Sequence, residues 1–248
     1  MATLINNIDV NAQGIYLARH GAEELFTLPN LSDAEVNDWQ EVDGLQVDFT
    51  TVQIQHPEVM VRYVVTSLAA RSALEQYHKA ERIKLMPHGW GRTFTLRKAN
   101  ADNCKVLAKG DHIMEIAYRY ELDDLPKTQI TSDVEPVVFR SRYKIGGVSL
   151  SQFGMVINET HALYTPDDFK ALTLVRDMRE AQLMCTMFAS SWSVLWANRA
   201  ALWDALQGEL SLSTDMGTTL KARYLSCSTP KQVSQQPVIS FTLNLQLI

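Results

Sequence analysis

The sequence predicts an α+β protein, mainly β, built from two similar modules that each carry one helix. Three observations predict this. Residues 113–120 and 238–245 alternate apolar and polar side chains, the period-two signature of strands with one buried and one wet face. Two other segments repeat their apolar residues at steps of three and four, as a helix lying on a core does. Finally, blocks of the first half recur in the same order in the second, and a search for such repeats precedes any motif reading.

The blocks come in order. Residues 5–17 align without a gap onto 145–157 at an offset of 140, with coincident apolar positions and a shared glycine, Gly14 and Gly154. Residues 58–67 align onto 182–191 at an offset of 124, both strands ending in a serine, Ser67 or Ser191, suited to accept the free amides of a helix's first turn. In the first copy Ala69, Ala73, Tyr77, Ala80 and Ile83 form the helical stripe, and Pro87 stops it. In the second, Trp192, Leu195, Trp196, Ala200, Trp203 and Leu206 form it with far larger side chains, and Gly208 is placed to end it in a left-handed conformation. Gly91 to Phe94 then match Gly217 to Leu220, and the alternating strands 113–120 and 238–245 close each copy. The order strand, strand, strand, helix, strand, strand therefore occurs twice, in 1–125 and 143–248, each of domain size. Residues 126–142 between them, polar and with Pro126 and Pro136, read as a linker.

The copies differ in one place. Between Ile15 and Glu58 the first copy is 16 residues longer than the second between Met155 and Gln182 (44 against 28). The extra residues form an acidic insertion near 28–44 in which Asp33, Glu35, Asp38, Glu41 and Asp43 surround Trp39, and Asp43-Gly44 is a turn signal. A connection of this length without periodicity is uncommon unless it has a function. It reads as an arm docking on a neighbouring subunit, with Trp39 as anchor and the carboxylates facing Arg92, Arg97 or Lys98 of that neighbour. The competing reading is a solvated loop with Trp39 tucked against its own module.

Composition excludes some roles. With 23 Lys+Arg against 28 Asp+Glu the formal charge is −5, without the clustered basic excess of a dedicated nucleic-acid binder. No apolar run is long enough for a membrane helix, and the first ten residues lack the basic start and apolar core of a signal peptide, so the expected compartment is the cytoplasm of the cell that makes the protein. Cys104, Cys185 and Cys227 lie too far apart for a disulfide framework or a zinc spacing.

Chemistry-bearing motifs are sparse. The run G-x-S-x-G of a serine hydrolase does not occur. Gly89-Trp90-Gly91 leads into a strand rather than a helix N-terminus, so it is a turn and not a dinucleotide fingerprint. Glu75 and His78 have an E-x-x-H spacing, but a di-iron site needs two such motifs and two further glutamates. The six histidines have no ligand spacing, and Trp192, Trp196 and Trp203 read as core. No catalytic, cofactor-binding or metal-binding residue is assigned, and no cofactor is expected. Two competing classes are a small-ligand-binding β-barrel module and a small hydrolase, the latter resting on His88, Asp111 or His112.

The duplicated pattern, with Trp39-Gln40-Glu41-Val42-Asp43-Gly44 before the strand Leu45-Gln46-Val47-Asp48, resembles the tail-tube and distal-tail structural proteins of long-tailed bacteriophages. The second copy lacks the W-x-x-x-D-G element. The resemblance implies that each module is a tube-like β-sandwich or split barrel with a flanking helix. It further implies no enzyme and no cofactor, but a ring that continues the tail channel in the virion. The implied partners are copies of the chain itself, as a hexamer or a pseudo-sixfold trimer, and other tail-tube and tail-tip proteins. Specific nucleic-acid recognition and membrane association are not implied.

Overall fold

A computed structural model describes residues 2–37, 46–99, 104–109, 113–123, 143–161, 180–213, 219–233 and 236–248. The chain divides into two compact units. The first comprises Met1–Thr27 and His56–Leu125, the second Leu28–Gln55 and Pro126–Ile248. Among the described residues the chain is mainly β with two α-helices.

In the first unit the strands are β1 (Leu4–Ile5), β2 (Ile8–Asp9) and β3 (Ile15–Leu17), then, after the insertion, β8 (Glu58–Val65), β9 (Arg82–Met86), β10 (Phe94–Lys98), β11 (Cys104–Lys109) and β12 (Met114–Leu122), with helix α1 (Leu68–Tyr77) between β8 and β9. They form one sheet in the order β2-β1-β9-β10-β12-β8-β3, with β11 also paired to β12. The second unit repeats this with β13 (Lys144–Ile145), β14 (Val148–Ser149), β15 (Met155–His161), β16 (Glu180–Phe188), α2 (Trp192–Ala205), β17 (Leu210–Ser213), β18 (Thr219–Cys227), β19 (Lys231–Gln232) and β20 (Val238–Leu247). Its order is β14-β13-β17-β18-β20-β16-β15, with β19 also paired to β20. Strand for strand the two sheets are the same, so the two halves share one fold.

Chain connectivity forces each sheet to curl. Seven strands side by side would span about 29 Å if flat, at about 4.8 Å per step. Yet β2 and β3, at opposite ends of that path, are joined only by Val10 to Gly14, a reach of about 21 Å at full extension. A 3-10 turn at Asn11–Gln13 shortens the connection further, and Ile15 donates its amide to the Val10 carbonyl at 3.1 Å. The second sheet is bound by the same short step, with a 3-10 turn at Leu150–Phe153. Both turns end on the duplicated glycines, Gly14 at φ +77° and Gly154 at φ +64°.

Pairing corrects the sequence alignment at one point. Val65 lies opposite Ile15, and Met187 lies opposite Met155, so β8 and β16 correspond at an offset of 122, not 124. The helices do correspond at 124: the Ser67 side chain accepts the Ala70 amide at 3.0 Å and that of Ser191 accepts the Val194 amide at 3.3 Å. Two residues are thus added between strand and helix in the second copy. An even shift keeps the same face inward, which is why Val59, Val61, Tyr63 and Val65 are buried in one copy and Ala181, Leu183, Cys185 and Met187 in the other.

Two further expectations change. Ala80 and Ile83 are not on α1: the helix stops at Tyr77, and Arg82–Met86 is a strand with Ile83 and Leu85 buried and Arg82 and Lys84 exposed. Period two wins there because Ile83 and Leu85 pair within the sheet against Leu96 and Phe94. The face that α1 buries is Ala70, Leu74 and His78, one position away from the stripe through Ala69 and Ala73. On the final strands Met114, Ile116, Tyr118 and Tyr120 point inward while Ile113 is 57% exposed. β12 and β20 are interior strands of their sheets, each paired on both sides.

The two cores are filled in complementary ways. The first has large residues on its strands, Tyr63, Tyr118 and Tyr120, under a helix contributing Ala70 and Leu74. At the same strand positions the second has Cys185, Leu243 and Leu245, under a helix that buries Trp196, Leu202 and Trp203. Interiors are packed to near-crystalline density, so volume lost on the sheet must return on the helix. That explains why α2 is buried over most of its circumference, including Asn198 and Arg199, where a single stripe was expected.

Candidate assembly interface

The 16 extra residues belong to a longer segment, Leu28–Gln55, that groups with the second unit although it interrupts the first in sequence. It contains two hairpins. β4 (Asn30–Leu31) pairs with β7 (Ile54–Gln55), and β5 (Glu35–Asn37) pairs with β6 (Gln46–Asp48). Ser32 ties the junction by donating its amide to the Gln53 carbonyl at 2.8 Å and accepting the Gln53 amide on its hydroxyl at 2.9 Å. Asp48 starts a 3-10 turn by accepting the Thr50 amide at 2.9 Å and the Thr50 hydroxyl, which lowers the Asp48 pKa. β4 packs on β18 of the second unit.

Under this strap lies Arg223 of β18, only 4% exposed. Its Nε donates to Gln246 Oε1 at 2.5 Å while Nη1 is buried without a hydrogen-bond partner. Burial lowers its pKa, and the carboxylate of Asp33 in the strap opposes that shift. The strap thus covers a buried cation on β18. Replacing Arg223 by alanine should loosen the strap at a cost of about 1–3 kcal/mol, read as faster proteolytic cleavage within 28–55 with the second unit still folded. Unchanged cleavage would mean that β4 is held by its apolar contacts alone.

Of the residues singled out in the sequence, Asp33 lies close enough for its charge to act on Arg223, and Glu35 opens β5 opposite Asp48. Asp38, Trp39, Glu41 and Asp43 lie outside the described residues. Of the expected basic partners, Arg97 is paired with Glu121 inside its own unit and Arg92 lies over the Phe94 ring at 5.5 Å. Arg223, buried and carrying no motif, was not legible as a partner.

Three tyrosines and one histidine of the first unit lie in its core. His78 follows the last turn of α1, exchanges a hydrogen bond with the Tyr120 hydroxyl and stacks on Tyr118 at 3.9 Å. Burial, reinforced by the Lys98 charge, pushes the imidazole down to about 3. Burial raises the Tyr63, Tyr118 and Tyr120 hydroxyls. Glu75 does not join His78 as a ligand pair: it accepts from Arg71 at 2.8 Å on the outer side of the helix. His88 is exposed in the turn after Pro87, and Asp111 and His112 lie outside the described residues. In the second unit burial raises Cys185 and pushes Cys227 up to about 12. Among the described residues no group of three or more His, Cys, Asp or Glu could hold a metal ion, and no helix is long and apolar enough to cross a membrane.

The remaining unusual surface is the set of sheet edges. Among the described residues β11 pairs only with β12, and its consecutive Val106 and Leu107 are 43% and 41% exposed. β15 likewise pairs only with β16. Unpaired strand edges are templates for another strand, which monomeric proteins usually keep short or charged. Compared with protein-family models, with curated proteins and with solved structures, the chain matches none.

Proposed function

We propose that the chain is a structural protein of a phage tail or tail-like particle, a distal-tail or tube-tip adaptor whose copies form a ring continuing the tail channel. One observation carries this reading: a single chain holds two copies of the same curled sheet, each with a strand edge unpaired among the described residues. Two equivalent units per chain let a trimer present six similar units around an axis, and a hexamer present one ring of each unit. The strap supports the reading too. An isolated two-stranded hairpin is marginal in water, so β5 and β6, with Trp39 between them in the sequence, suit a surface completed by a neighbour. Aromatic anchors of that kind concentrate binding energy at interfaces.

The native mass by light scattering tests the proposal. A closed oligomer several times the 28.0 kDa chain is expected, visible as rings by negative-stain microscopy. Trp39→Ala should lower the assembled fraction at least tenfold at limiting concentration while leaving the melting transition of the subunit unchanged. A chain that stays monomeric at every concentration, alone and with tail components, would overturn the reading.

A further inference from the structure

The two copies differ in which of their edges is long, and the difference is reciprocal. Within the first sheet the run β11-β12-β8-β3 has β11 and β3 as its edges; within the second the run β19-β20-β16-β15 has β19 and β15. In the first copy β11 has 6 residues and β3 has 3. In the second copy β19 has 2 and β15 has 7. Among the described residues each copy thus keeps one long unpaired edge, and the two long edges lie on opposite sides of the run.

The short edge of the first copy is also closed off. After Leu17 the chain turns: Ala18 donates to the Arg62 carbonyl at 2.9 Å and Arg62 donates to the Gly21 carbonyl at 2.8 Å. The Glu24 carboxylate then accepts the next outward amide of β8, that of Met60, at 2.6 Å. A side chain taking a strand's free amide is an edge blocked against pairing. On the opposite side of the same run, β11 leaves Val106 and Leu107 exposed.

From this reciprocity we infer that copies join head to tail, β15 of one chain adding to β11 of the next, so that β19-β20-β16-β15 continues into β11-β12-β8-β3. This rests on the ring reading and names its contact. The lengths match, at 7 and 6 residues. β11 also presents an exposed lysine, Lys105. The contact is heterologous, because it joins unlike edges, and so it propagates until the rotation closes. An isologous pairing of like edges would stop at a dimer.

The exposed native Cys104 at the start of β11 supplies the probe. Val156→Cys and Thr160→Cys, made separately on β15 in the full chain and oxidised at assembling concentration, should give a ladder of covalent multimers in at least one variant. The ladder should collapse to the single chain under reductant and vanish in the Cys104→Ser background. Melting curves of each variant check that it is folded, and two positions guard against loss of one. Dimers that persist with Cys104→Ser would mean β15 against β15 and would overturn the inference. Particles of ring mass with no bond to Cys104 in either folded variant would overturn the edge assignment and leave the ring standing. A monomer by light scattering would sink both.

Discussion

Taken from pH 7 to pH 4, the first unit loses about 3 kcal/mol of stability through His78. The residue is 4% exposed, and its folded pKa of about 3 lies below the ordinary 6.5 because the charged ring would be buried. Tyr63, Tyr118 and Tyr120 surround it, and Lys98 adds repulsion. Between those two values the unfolded chain binds a proton that the folded chain refuses. Stability is therefore full above pH 6.5 and falls by about 1.4 kcal/mol per unit as the solution is acidified, until the folded ring itself protonates near 3. Urea unfolding at pH 7, 5.5 and 4.5 reads the slope before most carboxylates titrate. The control copies the second unit, where Leu202 and Leu245 stand at the positions of His78 and Tyr120. His78→Leu with Tyr120→Phe should flatten the slope without leaving a buried hydroxyl unpaired, and an unchanged slope would assign the acid sensitivity elsewhere.

Gly154→Ala should destabilise the second unit by about 2–4 kcal/mol, and Gly14→Ala should cost the first unit less. Both glycines end a 3-10 turn with positive φ, a conformation costing an L-residue about 1 kcal/mol. Their surroundings differ. A β-carbon on Gly154 would meet the Phe188 carbonyl oxygen at 2.3 Å and Asn198 Nδ2 at 2.9 Å. The carbonyl cannot retreat, because the Gly154 oxygen in turn accepts the Phe188 amide at 2.8 Å. On Gly14 the close atom is Thr66 Oγ1 at 2.4 Å, a hydroxyl that can rotate away at the expense of its 3.2 Å bond to the Gly14 carbonyl. Thermal melts of the two variants decide it. Adding Thr66→Ala should recover part of the Gly14→Ala loss, and equal losses without such recovery would show that backbone strain alone sets the cost.

Much of the fold was legible without coordinates, for local reasons. Alternation marks a strand whatever lies beside it, and a serine before a helical period marks a cap, so the twofold pattern, Ser67, Ser191 and the paired glycines followed from the residues themselves. Other features depend on what is brought alongside. Arg82–Met86 could extend a helical stripe or form a strand, and pairing against Phe94 and Leu96 decided for the strand. The two-residue slip between β16 and α2 is silent in sequence because an even shift preserves the inward face. Strand position is not encoded locally either: β12 and β20, with long alternating patterns, sit inside their sheets, while among the described residues the long unpaired edges fell to β11 and β15. The acidic insertion announced itself by charge and length, but its grouping with the second unit and its packing over the β18 strand of Arg223 required the tertiary structure. A lone arginine in a strand carries no mark of what will cover it, since burial is a property of the neighbours the fold supplies.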